Sequence, residues 1–207
     1  MKTILLITLV TFGTMYSQEV YELKPGTKGN EITLTVANVS EENTATNVNV
    51  ILTRKSAALN FKEETKTIDF VEAKAEAEAK FTFDVNRNVQ VNKKDTIEFM
   101  VTGSEGIMML KSFIFNYSGP KEFKLEQNYP NPFNPTTTIL FQLPADSKVT
   151  LKIYDILGSE VATLVNEDQE AGYKEVKFNA LNIASGMYIY RLTANKYVCT
   201  KKMMVLK

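Results

Sequence analysis

Ala73-Lys74-Ala75-Glu76-Ala77-Glu78-Ala79-Lys80-Phe81-Thr82-Phe83-Asp84-Val85 is the run that decides between helix and strand for the first half of the chain. Its first eight residues have helix-forming composition. The alanines recur at every second position, however. On a helix they would scatter around the circumference. On a strand they line one face and lead into Phe81, Phe83 and Val85. The spacing predicts a turn and then an extended strand, with a short helical turn as the alternative.

The same alternation spreads outward. Ile32, Leu34 and Val36 alternate with threonines, and Val48, Val50 and Leu52 follow. Ile68 and Phe70, then Ile97, Phe99 and Val101, then Phe113 and Phe115 complete the set. Polar or turn-rich stretches at 38–46, 54–62, 86–94 and 103–106 separate them. Short strands at such spacing predict an antiparallel sandwich. The pattern resembles the immunoglobulin-like modules, of the CARDB kind, of bacterial surface proteins. The matching residues are Val36-Ala37-Asn38, Asn47-Val48-Asn49-Val50 and Phe81 to Val85.

Composition narrows the function. The 207 residues are 44% hydrophobic and 23% charged, as in an ordinary globular protein. Lys+Arg and Asp+Glu balance at 24 each, which gives no reason to expect nucleic acid as a partner. There is no histidine, so the commonest general base and zinc ligand are missing. The single cysteine, Cys199, allows no intrachain disulfide and no Cys-based zinc site. No metal, cofactor or catalytic residue is expected, and the chain is read as not an enzyme.

At the N-terminus, Lys2 precedes the apolar run Ile4 to Val10, and small and polar residues follow. This is the layout of a secretory signal peptide, and the core is too short to span a membrane. Residues 1–17 are therefore expected to be removed, with cleavage between Ser17 and Gln18; an uncleaved anchor is the alternative.

Between the halves lies Tyr129-Pro130-Asn131-Pro132-Phe133-Asn134-Pro135. Three prolines in six residues exclude a regular helix or a central strand. A stiff, extended loop is expected, leading into a strand near Thr137. Downstream, Leu151, Ile153 and Tyr154 belong to a strand, and Asp155 to Ser159 form a hairpin turn with Gly158 free to take a positive φ. Gly172 marks another turn. Gly186 releases a strand on which Tyr188 and Tyr190 share one face. Asn195 and Lys196 turn the chain into a last strand, Tyr197 to Leu206. About seven short strands fit one small sandwich.

These residues resemble the type A C-terminal sorting domain of the type IX (Por) secretion system. The resemblance runs from Phe123 to Lys207 and rests on Pro130, Asn131, Pro132, Phe133, Asn134 and Pro135, on Tyr154, Asp155 and Gly158, on Gly186, Tyr188 and Tyr190, and on Lys201, Lys202 and Lys207. A related hook-cap module of flagella shares the opening and the hairpin but does not normally end on such a basic and apolar strand. The resemblance implies passage through the periplasm and recognition by an outer-membrane type IX translocon. It also implies a sortase-like protease cutting near Ser118 to Phe123, and attachment to anionic lipopolysaccharide. The product would be secreted or held at the cell surface. Lys201, Lys202 and Lys207 flank an apolar edge strand. Read from the residues alone, it is a terminal strand of the sandwich with solvated lysines; read by the resemblance, it is an exposed signal that a receptor could use by strand addition.

The predicted architecture is all-β: a signal peptide at 1–17, an immunoglobulin-like passenger at 18–118, a linker at 119–126 and a sorting sandwich at 127–207. The expected function is a secreted binding or structural module. The alternative is a small hydrolase or carbohydrate-binding accessory carrying the same label. Other candidate residues point to no chemistry. Neighbouring carboxylates at Glu41-Glu42 and Glu63-Glu64 face opposite ways on a strand and suit solvated loops. Asn86, Asn88 and Asn92 lack calcium-loop spacing, and the loop is basic. Lys24 to Gly29 lacks the phosphate-loop spacing and is read as a turn. Cys199 is read as a packing or edge residue.

Overall fold

A computed structural model describes residues 4–8, 20–104 and 108–207. The architecture is all-β. Two compact units emerge, one of residues 1–86 and 93–117, the other of 87–92 and 118–207. The loop Arg87–Asn92 thus groups with the second unit, although it lies within the stretch expected to be passenger. In that unit the Arg87 guanidinium lies 5.5 Å over the Tyr173 ring.

The first unit has two sheets. One contains β1 (Ile4–Thr8), β3 (Asn30–Ala37), β7 (Glu76–Val85) and β5 (Leu59–Phe61), in the order β1-β3-β7-β5. The other contains β2 (Val20–Leu23), β9 (Met108–Tyr117), β8 (Lys94–Thr102), β4 (Ala45–Arg54) and β6 (Thr65–Val71), in the order β2-β9-β8-β4-β6. The alanine run is extended, as its period requires: Glu76 to Lys80 belong to β7 and Ala79, Phe81, Phe83 and Val85 are buried. Lys74, at φ 59°, makes the turn before it.

Inward rings hold the two sheets together. Phe81 and Phe99 have centroids 4.8 Å apart, and Phe99 meets Phe113 edge-on at 5.9 Å. Each such side chain contributes roughly 1.5–3 kcal/mol by leaving water. Phe70 differs from its expected inward place: it is exposed on edge strand β6, where Val71 is buried instead. The sandwich is also not wholly antiparallel. β2 runs parallel to β9, and β1 parallel to β3. Ile4–Thr8, inside the segment expected to be a signal peptide, is thus an edge strand; Ser17 and Gln18 lie outside the described residues.

The second unit is built from seven strands: β10 (Lys124–Leu125), β11 (Thr136–Leu143), β12 (Ser147–Tyr154), β13 (Glu160–Gln169), β14 (Gly172–Asn179), β15 (Gly186–Ala194) and β16 (Tyr197–Val205). They form the sheets β10-β11-β14 and β13-β12-β15-β16, all pairs antiparallel. Ile139, Phe141, Leu151, Ile153, Tyr190 and Leu192 lie in the core between them. Asn195, at φ 52°, makes the last hairpin turn.

Candidate functional site: the clasped last strand

β16 is the edge of its sheet by strand order, yet much of its outer edge is filled. Gln127 Nε2 donates to the Lys202 carbonyl at 2.8 Å. The Met204 amide donates to Asn131 Oδ1 at 2.9 Å. The Phe133 amide donates to the Met204 carbonyl, and the Leu206 amide to the Phe133 carbonyl, both at 3.0 Å. Phe133 therefore bridges in parallel to Val205. Its ring is 3% exposed and meets Phe178 edge-on at 6.1 Å. The proline-asparagine loop is a clasp on the last strand.

For the Lys202–Leu206 end of this edge, strand addition by a receptor would meet bonds already made. The Lys202 carbonyl, both Met204 backbone groups and the Leu206 amide are engaged by residues 127–133.

A buried polar network holds the clasp. Asn128 is 2% exposed. Its side chain donates to Thr137 Oγ1 at 2.9 Å and to the Pro130 carbonyl at 3.0 Å, and Thr137 Oγ1 donates to the same carbonyl at 2.8 Å. The Asn128 amide donates to the Tyr190 hydroxyl, which donates in turn to the Glu126 carbonyl, both at 2.9 Å. Burial pushes the Tyr190 phenol up to about 12. Tyr129 joins β11 through paired hydrogen bonds with Thr138 at 3.0 and 2.9 Å. The Pro135 carbonyl accepts from the Ala180 amide at 2.8 Å. The prolines suit this segment because its capping bonds come from side chains and carbonyls, not from proline nitrogens.

The other singled-out residues fall at the same end of the sheet. Tyr154 pairs with Ile189, and Ile189 with Lys202. Gly186 pairs with Val205, at φ 152°. The Tyr188 hydroxyl donates to the Ala184 carbonyl at 3.0 Å. Asp155 shapes the hairpin tip: its Oδ1 accepts from the Leu157 and Ser159 amides, each at 2.9 Å. Gly158 there has φ 86°, the conformation an L side chain avoids. Lys207 is tethered, its Nζ donating to the Leu181 carbonyl at 2.7 Å and its amide to Ser185 Oγ at 3.0 Å. Lys201 and Lys202 form no ion pair among the described residues. Pro130, Pro132 and Asn134 complete the exposed side of the clasp. Cys199 is half-buried against the core beside Tyr197, whose phenol burial and the neighbouring thiol push up to about 12.

Residues 127–206 match the family model described as the secretion system C-terminal sorting domain. The chain carries a type IX secretion system C-terminal sorting domain. That domain implies export across the outer membrane to the surface or the medium, and interaction with the secretion machinery. No curated protein matches the chain. Among solved structures, dimeric latent PorU from Porphyromonas gingivalis is 16% identical at TM-score 0.34, with 94% of this chain covered. The chain spans only 19% of that PorU chain. The CupB2 chaperone of Pseudomonas aeruginosa is 10% identical at TM-score 0.33, with 91% of this chain and 98% of that one covered. The periplasmic chaperone SfaE is 14% identical at TM-score 0.32, with 92% and 97% covered.

The first unit holds one polar cluster that sequence reasoning missed. Ser56, Asp95 and Tyr117 converge from a loop, β8 and β9. The Tyr117 hydroxyl is 3.2 Å from Asp95 Oδ2 and 3.3 Å from Ser56 Oγ, and Ser56 Oγ donates to Asp95. The Ala58 amide donates back to Ser56 Oγ at 3.0 Å. Burial pushes the Tyr117 phenol up to about 12. The three groups satisfy one another and pin the β4–β5 loop. They are 22 and 39 positions apart in the chain, so no local pattern announces them. The carboxylates weighed from sequence are surface partners: Glu41 pairs with Lys74 at 3.2 Å, Glu63 with Lys66 and Glu64 with Lys55. Asn86 ties two loops, donating to the Ala57 carbonyl at 2.8 Å. Lys24 to Gly29 is a turn, with Gly26 at φ 80° and Gly29 at φ 65°.

Proposed function

We propose that the chain is an export substrate in two parts. Residues from about Gln18 to Ser118 are the passenger, a non-enzymatic binding or structural module released outside the cell or held at its surface. The sorting domain at 127–207 is its label, read by an outer-membrane translocon and cut away near Ser118 to Phe123 by a sortase-like protease. The observation that carries this reading is the family match over 127–206. A binding role for the passenger is favoured by an apolar cavity of about 290 Å³ at one end of the first unit. Val36, Asn38, Val48, Val71, Val101 and Met109 line it. Removal of residues 1–17 would also take away β1 and leave β3 as the edge of its sheet.

Mass spectrometry of protein recovered from the medium and the cell surface tests the processing. A form running from Gln18 to about Pro120 is expected; a full-length form there would show that neither cut is made. Export itself is tested by deleting 127–207, after which the passenger should stay in the periplasm.

A further inference from the structure

Residues 127–133 clasp the last strand's edge from Lys202 to Leu206, which turns attention to the face of its sheet. We propose that the export machinery docks on the outer face of the β13-β12-β15-β16 sheet, at the end where the β12–β13 hairpin, Gly186 and Met204 meet. This inference rests on the sorting reading above and names the surface that performs it.

Three observations converge on that face. The first is a largely apolar surface outside the core. Tyr154, Ile189 and Lys202 form one cross-strand row on the side opposite the core, and Met187 and Met204 pair in the next. Met187 and Met204 are exposed at 44% and 39%. Beyond Tyr154 the hairpin tip carries Ile156 and Leu157, exposed at 72% and 86%.

The second is that the tip is built to present these side chains. Asp155 holds its backbone by side-chain bonds to the Leu157 and Ser159 amides, and by backbone bonds from its amide to the Ser159 carbonyl (3.0 Å) and from the Gly158 amide to its carbonyl (3.1 Å). None of those bonds involves the side chains of Ile156 or Leu157. Polar residues would serve the turn equally well, since turn chemistry favours them. A pair of apolar side chains held rigidly in water is the mark of a docking anchor.

The third is charge. Arg191 lies 5.3 Å over the Tyr154 ring, and Lys202 ends the same row. Lys152, one row further, is neutralised by Glu160 at 2.7 Å, and neither Arg191 nor Lys202 forms an ion pair among the described residues. The occupant is therefore a protein of the export machinery with an apolar surface edged by carboxylates. A strand added edge to edge would use none of these side chains; a face-on partner uses all of them.

The test compares full-length chains in a host with a working type IX system. Ile156→Ser/Leu157→Ser and Met187→Thr/Met204→Thr are combined in one variant, Leu157→Ser is made alone, and 127–207 is deleted in a third. The fraction reaching the surface or medium is read by immunoblot, with thermal unfolding of each purified protein alongside. The combined variant should lose export at least tenfold and Leu157→Ser severalfold, both with an unchanged unfolding midpoint. Arg191→Glu/Lys202→Glu should lose export as well. If the folded variants are exported normally while the deletion is retained, the face is not the docking surface. A face that instead joins two copies of the chain, seen as a dimer lost in these variants with export intact, overturns the proposal too. Should the combined variant unfold, Leu157→Ser decides alone, because its side chain stands in solvent. Normal export of the deletion would defeat the sorting reading itself.

Discussion

The two sandwiches are held by different means. In the first, the sheets close over phenylalanines, with Phe81, Phe83, Phe99, Phe113 and Phe115 all fully buried. In the second, an apolar core is joined to a polar clasp in which Asn128, Asn131, Thr137 and Tyr190 each have a named partner. Apolar packing accepts many sequences of the right size and pattern. A buried polar network does not, because losing one partner leaves another unpaired in a low dielectric. That is why the second half is recognisable residue by residue, while the first is legible only as a pattern.

Several measurements break or sharpen this contrast. The largest losses come from the cores. Phe99→Ala in the first unit and Phe133→Ala in the second should each cost about 3–5 kcal/mol, read from urea unfolding of the purified chain. Phe133 is the sharper case, because its backbone also carries the parallel bridge to the last strand. A cost near zero there would mean that the clasp adds nothing to stability.

Next comes Tyr190→Phe. It removes a hydroxyl that accepts from the Asn128 amide, and a buried donor left unpaired costs about 1–3 kcal/mol. The corresponding change in the first unit, Tyr117→Phe, leaves Ser56 and Asp95 bonded to each other and should cost about 1 kcal/mol or less. Equal losses at the two tyrosines would erase the proposed difference between clasp and core.

High pH probes the same hydroxyls. Tyr117 and Tyr190 are both raised to about 12 from an ordinary value of 10. The folded state therefore holds their protons where the unfolded chain releases them. Their stabilisation is complete below pH 10 and is lost as the pH climbs from 10 to 12. Chemical denaturation across that window should show a fall in stability that is shallower in Tyr190→Phe.

The smallest effect is expected from Lys202→Gln. The side chain is exposed and forms no ion pair among the described residues, so stability should move by less than about 0.5 kcal/mol. Its export defect, if the docking face is right, appears without any change in unfolding.

Much of the fold could be read from the chain because its physical causes are local. Alternation set the strands, and the alanine run is extended for the reason its period gives. Gly158 and Asn195 both take positive φ in the turns where they were expected. Phe70 shows the limit: alternation gives two faces, and only the neighbouring sheet decides which is inward. The parallel pairings of β1 and β2 were hidden for a related reason, since strand direction depends on partners far away in sequence.

The candidate site divides in the same way. The proline-asparagine motif and Tyr190 stood out in the sequence, and the family model matches 127–206, but Gln127, Asn128 and Thr137 carried no signal of their own. What they do to one another was not visible. Deleting Lys201 to Lys207 looks from the sequence like removing an exposed signal. In the structure it also removes Met203 and Val205 from the core and frees the clasp, so surface substitutions are the cleaner probe.

By itself, then, the amino-acid order determined the β class, the turn positions and the presence of an export label, because periodicity, proline and glycine act within a few residues. Tertiary structure alone decided that the proline-asparagine loop closes over the last strand. It also decided that the hairpin tip, Met187 and Met204 share one end of a sheet. Those outcomes depend on hydrogen bonds and strand register between residues 17 to 75 positions apart, which no local pattern encodes.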